Sequence, residues 1–350
     1  MAFWVGGKFQ KPSGAYGDVA IVANKQAGSS VTGPELANHP LMVRVRKNAN
    51  TMAAPERDRF LSAFAALNGA GQGIFSQFRD THVDGRADEQ AHGGSDGGIG
   101  FLPWHRAFML DLERELQAID ATVTLPYWRF DKAAPKLITR QFLGVPTANG
   151  TVAFSLGHPL NNWSTDGQVG VFRGPGVTPN NIPQPDIPGF VVLTEAQTLA
   201  LSQGSAARFA KFARMQGTPH GAAHMANWSG PITSIPTATR DPLFFLLHCN
   251  IDRLWAKWQW LNKRNDPAKS ASYGGPAAMK GHNLDDTLWP WDGDTVDPRP
   301  SFVPPRTALA ASTMVAAPGP TPRLRDMLDY YAIHGGTELG FGYDDVPFEN

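Results

Sequence analysis

Between Arg240 and Lys263 the sequence reads RDPLFFLLHCNIDRLWAKWQWLNK, an almost unbroken apolar stretch with one histidine inside it. A chain containing this stretch must build a core around it. Asp241 can cap the N-terminus of a helix here, and Pro242 suits the first helical position. Leu243, Phe244, Leu247, Ile251, Leu254, Trp255 and Trp258 then follow the i, i+3, i+4 spacing of one packed face. His248 lies within that face. Asp252, one turn later, is placed to orient an imidazole, because Asp252 and Arg253 have little other reason to sit among tryptophans. For one isolated helix a core histidine bonded to a carbonyl is the simpler explanation, so the other stretches decide.

Composition removes several function classes. The 350 residues, 42% hydrophobic, can bury a large core. Only 18% are charged, and 31 Lys plus Arg balance 31 Asp plus Glu, so no net field draws the chain to nucleic acid or anionic lipid. Small neutral partners fit better. The 36 glycines and 29 prolines predict long, shaped loops between a few helices. Cys249 is the single cysteine; it excludes an intrachain disulfide and is expected to be a buried free thiol. The opening MAFWVGGKFQKPSG lacks the basic-then-apolar pattern of a signal peptide, and no segment approaches the roughly 18 apolar residues of a membrane span. A cytoplasmic protein without a membrane partner is the expectation.

Along the chain, residues 1–38 carry Gly, Ser and Pro through every periodic pattern and are expected to wrap the core. The stretch from Leu41 to Asn50 reads as helical, and a second helix opens at Pro55, shows Phe60, Leu61, Phe64 and Leu67 on one face, and stops at Asn68 and Gly69. Gly73 to His82 makes a short helix. Val83 to Gly100 is a polar, glycine-rich loop holding His92. The next helix begins near Pro103, with His105, Phe108, Met109, Leu112 and Leu116 inward and Arg106, Glu113 and Glu115 outward. Residues 140–195 read as a structured loop or small strands, Leu199 to Met215 as weakly helical, and no internal repeat is present.

Six of the ten histidines form two triplets in sequence, His82, His92 and His105, then His220, His224 and His248. A spacing of four puts His220 and His224 on one helical face, close enough to share a metal. In HGAAH no glutamate follows the first histidine, so the zinc-protease pattern fails. Imidazole-only sites suit copper above other divalent metals. Neutral ligands also let a metal cycle between +1 and +2 without a fixed ligand charge opposing reduction. His39, His158, His282 and His334, beside Pro, Gly or Asn, read as surface or structural.

FLPWHRAFMLDLERELQ resembles the first copper motif of the tyrosinase and catechol oxidase family, and DPLFFLLHCNIDRLWAKWQ resembles its second. PHGAAH is similar to the paired-histidine helix between them, LPYWRFD to the stretch after the first motif, and LGFGYDD to the closing tyrosine motif. The resemblance runs in order over about residues 40–345. It implies a mainly α fold, a four-helix bundle holding a binuclear type-3 copper site, with long irregular loops and few short strands. The whole chain, 1–350, would be a single catalytic domain with its core at 40–345. Two copper ions per chain would be held by His82, His92 and His105 and by His220, His224 and His248. The partners implied are dioxygen and a small phenol oxidised to an o-quinone, and copper loading raises the prospect of a copper-delivery protein. Phe244 matches the phenylalanine that packs on ligand imidazoles.

Several positions depart from the family pattern. Leu247 replaces the first of two histidines usual in the second motif, and no cysteine near His92 permits a histidine thioether. In the family, a glutamate four residues before the first histidine of the second site and an asparagine just after that histidine hold a water as base for monophenols. Here those positions are Gln216 and Gly221, and Ile235 falls near the residue that gates access. Two other readings stay open: a hemocyanin-like dioxygen carrier, and a zinc hydrolase using HGAAH.

Overall fold

The computed structural model describes residues 19–26, 28, 32–41, 44–85, 89–92, 99–175, 191–204, 208–225, 229–274, 280–297, 299–305, 309–312, 315–335 and 338–347. Strands β1 (Val19–Gln26) and β2 (Thr32–Leu41) pair antiparallel, with Ile21 opposite His39. Most of their residues are exposed. The wrapping segment expected over 1–38 is thus, in its described part, a solvated hairpin in which Val19, Ile21 and Val22 supply strand propensity; residues 1–18 lie outside the described residues. The helix expected from Leu41 to Asn50 is also corrected. Val45–Arg46 form strand β3, in keeping with the two-residue alternation of VRVR.

Helix α1 (Ala54–Asn68) starts with Pro55 in its first turn and ends at Gly69, whose φ of 53° supplies the left-handed cap. Helices α2 (Phe75–Gly85) and α3 (Glu89–His92) follow, so His92 sits on a short helix within the stretch expected to be loop. Helix α4 (Phe101–Ile119) packs against α1 and, later in the chain, against the longest helix. Small strands β4 (Thr151–Val152), β5 (Ser164–Thr165), β6 (Gln168–Val169) and β7 (Val171–Phe172) make two short hairpin ladders in the breaker-rich region. The weak helix expected from Leu199 to Met215 is broken: α5 (Glu195–Leu199) and α6 (Phe209–Phe212) are separate single turns. A π turn at Gly217–Gly221 leads into α7 (Ala222–Met225), and α8 (Leu243–Asn262) is the stretch on which the sequence turned. Strand β8 (Gly342–Tyr343) pairs parallel with β3 and sets Arg46 beside Tyr343.

Helix α8 is buried from Leu243 to Ala256 on every side, as a helix apolar all round must be. Asp241 caps it, its Oδ1 accepting the Leu243 N–H at 2.9 Å while its carboxylate takes both ends of the buried Arg173 fork at 2.7 Å. Helix α4 is enclosed too, between α1, α8 and the chain after Leu284, and this overturns the outward placement of Arg106 and Glu113, which are 0% and 1% exposed. A helix without a solvent face must pair its charges. Glu113 accepts a fork from Arg46 at 2.7 and 3.1 Å, and Arg106 donates to Asp252 at 2.5 Å and to the Met327 carbonyl at 2.5 Å. Cys249 is a buried free thiol, its Sγ 3.6 Å from the Leu125 carbonyl, and burial raises its pKa. Among the described residues no helix is long and apolar enough to cross a membrane.

Candidate metal centre

Two histidine triads meet between α2, α3 and α4 on one side and the π turn, α7 and α8 on the other. The ligand-capable nitrogens of His82, His92 and His105 lie within 4.8 Å of one another, and so do those of His220, His224 and His248. The His105 and His248 rings stack at 4.4 Å with 14° between their planes, so the triads abut. His220 and His224 do not share a regular α-helical face, because His220 stands on the π turn. Such turns recur at functional sites. Both still reach His248, Nε2 to Nε2, at 3.2 and 3.1 Å.

The tautomers follow from the second nitrogen. His92, His105, His220 and His224 place Nδ1 at 3.2, 2.9, 2.7 and 2.8 Å from the carbonyls of Gly85, Phe101, Gln216 and Ile232. A carbonyl only accepts, so each Nδ1 carries the proton and each Nε2 presents a lone pair. The lone pairs of His220 and His224 both aim at His248 Nε2, where one proton cannot bond well to both. His105 Nε2 is buried with no hydrogen-bond partner. A cation satisfies these lone pairs together, since nitrogens about 2.0 Å from one metal stand roughly 3 Å apart.

Burial lowers all six imidazole pKa values, to about 4 for His92 and His224, whose carbonyl partners oppose the shift. Near neutral pH the triads stay neutral and ready for a metal. The copper-free protein should therefore lose stability as pH falls from 6.5 towards 4. The unfolded chain takes up protons on imidazoles of ordinary pKa near 6.5, while folded His92 and His224 resist until about 4. Below that their contribution to the loss levels off, and above 6.5 there is none. Calorimetric Tm of the copper-free protein across this range checks it; a flat profile would contradict the burial of these rings.

Phe244 packs on imidazoles of both triads, with centroids 4.2 Å from His248 and 4.6 Å from His82. The sequence reading missed Phe101, which also bridges the triads, at 4.3 Å from His105 and 4.9 Å from His220. Its place four residues before His105 was the available signal. Asp252 does not orient an imidazole. Its carboxylate accepts from Arg46 at 3.0 Å, Arg106 at 2.5 Å and the Tyr343 hydroxyl at 2.5 Å, because these three hold the face of α8 beneath His248. Gln216 donates to the His92 carbonyl at 3.3 Å, and its Oε1 is buried without a partner. Gly221 follows His220 on the π turn, and Ile235, three residues past the carbonyl that anchors His224, is 49% exposed.

The model of the common central domain of tyrosinase matches residues 72–261, which contain all six histidines. A tyrosinase from Streptomyces antibioticus is 30% identical over 268 residues, covering 72% of this chain and 94% of that protein. The chain belongs to the tyrosinase family. The structure of a polyphenol oxidase from Thermothelomyces thermophila shares its fold at 17% identity with a TM-score of 0.51, covering 86% of this chain and 88% of that one. A deoxygenated hemocyanin from Rapana thomasiana superposes with a TM-score of 0.50 at 20% identity, over 87% and 70% of the two chains. The chain is thus an oxidoreductase of the polyphenol oxidase type within the wider type-3 copper group. Tyrosinase-family proteins carry two copper ions, and the two triads are the groups that could hold them.

Proposed function

We propose that this tyrosinase-family protein oxidises o-diphenols to o-quinones, with residues 40–345 as one catalytic core. His82, His92 and His105 would hold one copper and His220, His224 and His248 the other. Copper so held supplies dioxygen binding and two-electron redox chemistry. Each catechol gives up two electrons and two protons, and two catechols reduce one dioxygen to two waters.

Access is the observation that favours an oxidase over a carrier or a structural site. His82, His105 and His248 are buried, while His92, His220 and His224 keep partial exposure and Ile235 at the adjoining turn is half-exposed. A small phenol can approach from that side. Phe101 and Phe244 line the rings and exclude water, and the carbonyl-bonded Nδ1 atoms fix each imidazole. A zinc hydrolase would need a carboxylate base at the site, and among the described residues both metal-ligating groups are histidine alone.

Gln216 and Gly221 favour diphenols over monophenols. A monophenol must lose its single proton before it can be hydroxylated. The neutral Gln216 amide can hold a water through Oε1 without raising its basicity, and Gly221 has no side chain to help. Initial rates on matched pairs should show robust diphenol oxidation and weak or lagging monophenol hydroxylation. Gln216→Glu combined with Gly221→Asn should raise the monophenol rate. A monophenol reacting as fast as its catechol in the unaltered protein would refute the argument from these two positions. Reversible dioxygen binding without catechol turnover would instead identify a carrier.

A further inference from the structure

We propose that Gln90 is a positioning residue that holds His92 in the first triad, by plugging the short helix α3 into the segment 281–299. This rests on the two-copper reading above. His92 stands on α3, a single helical turn that needs support from outside itself. Its own ring has one backbone anchor, the Gly85 carbonyl. Two residues earlier, the fully buried Gln90 uses every hydrogen-bonding position of its amide. Nε2 donates to the carbonyls of Gly281 at 2.8 Å and Thr287 at 3.2 Å; Oε1 accepts from the Trp289 N–H at 3.2 Å and Arg299 Nη1 at 3.0 Å. Neutral amide, two carbonyl acceptors and two donors match one another, so the socket selects glutamine over an acid or an apolar side chain.

Two glycines shape this socket. A Cβ on Gly100 would stand 2.7 Å from Gln90 Cγ and 2.8 Å from its carbonyl oxygen. Gly281, at φ 90°, lets its carbonyl reach Gln90, and a Cβ there would lie 3.3 Å from that of Gln90 and 3.1 Å from Arg299 Nη1. The same segment holds the helix that carries His105. His282 Nδ1 accepts the Gly100 N–H at 3.2 Å, and the Trp289 carbonyl accepts from Trp104 Nε1 at 2.6 Å. Residues 281–289 and Arg299 therefore set α3 and α4 relative to each other, and so His92 relative to His105. They lie beyond the 72–261 span of the family match.

Copper affinity, read separately for the two triads by chelator competition, tests the clamp. In a His224→Ala background only the first triad is complete, and in a His105→Ala background only the second. Gln90→Met should weaken copper binding about tenfold or more in the first background, the usual loss when a ligand's support is removed. It should leave binding in the second background unchanged. Asn68→Ala provides the control for general destabilisation: its side chain bonds both backbone groups of Ser164, at 2.9 and 3.1 Å, away from the triads. That variant should lower Tm without favouring either triad. If Gln90→Met does not fold, Gly281→Ala, which disturbs the socket from outside α3, carries the same comparison. Unchanged affinity in both backgrounds, or equal loss in both, overturns the clamp. A parent protein that binds fewer than two coppers strikes the two-copper reading instead.

Discussion

Replacing His248 by alanine is expected to halve the copper content, from two ions per chain to one, and to remove catechol turnover. Its Nε2 lies within 3.2 Å of both other nitrogens of its triad, and its ring is wedged between Phe244 and His105. Without it the second triad offers only His220 and His224, too few for a stable closed site. One remaining metal ion cannot accept both electrons that leave a catechol in one event. Activity should fall by well over a hundredfold, beyond the roughly 10–100-fold loss from removing a ligand's supporting partner. The same outcome is expected for His82, His105, His220 and His224, and for His92. Metal analysis and oxygen uptake on the purified variants read it directly, with circular dichroism to confirm folding. A stable His82→Ala protein that keeps full activity would sink the assignment of the first triad.

Asp252→Ala should be among the most destabilising single substitutions in the chain. Asp252 lies at the centre of a buried group in which two guanidiniums, Arg46 and Arg106, balance two carboxylates, Glu113 and Asp252, with the Tyr343 hydroxyl donating into it. Burial alone would lower the Arg46 pKa, but its neighbours together, Glu113 foremost, more than offset this and Arg46 remains charged. Burial also raises the Tyr343 pKa, so its phenol keeps the proton it donates. Removing the Asp252 carboxylate leaves Arg106 without its anion, Arg46 with Glu113 alone and the Tyr343 hydroxyl without its carboxylate acceptor, all where water cannot reach them. Breaking one partner from such a group costs about 3–5 kcal/mol, a large part of the roughly 5–15 kcal/mol that a folded domain has in total. Asp252→Asn keeps an acceptor and should cost less. Denaturant unfolding of the copper-free proteins measures both. A loss below about 1 kcal/mol for Asp252→Ala, the size of an exposed ion pair, would show that the group does not bind the two ends of the core together.

The sequence by itself determined helices α1, α2, α4 and α8 and the residues that could bind metal. Helix α8, its Asp241 cap, the start and end of α1, and the inward position of His105 depend on periodicity and capping, which are local properties of consecutive residues. Histidine identity is likewise legible, because no other residue type at those six positions would give neutral nitrogen ligands. Tertiary structure decided the rest. Arg106 and Glu113 sit on what periodicity takes for the outer face of α4, yet segments far along the chain cover that face, so no helical wheel could find them buried. Val45–Arg46 become a strand because they meet Gly342–Tyr343, and Asp252 meets Arg46 and Tyr343 from opposite ends of the sequence. Gln90 looks like an ordinary polar loop residue until Gly281, Trp289 and Arg299 close around it. Local propensity is written in neighbouring residues, but the partner of a buried charge or amide is chosen by which distant segments the packing brings together.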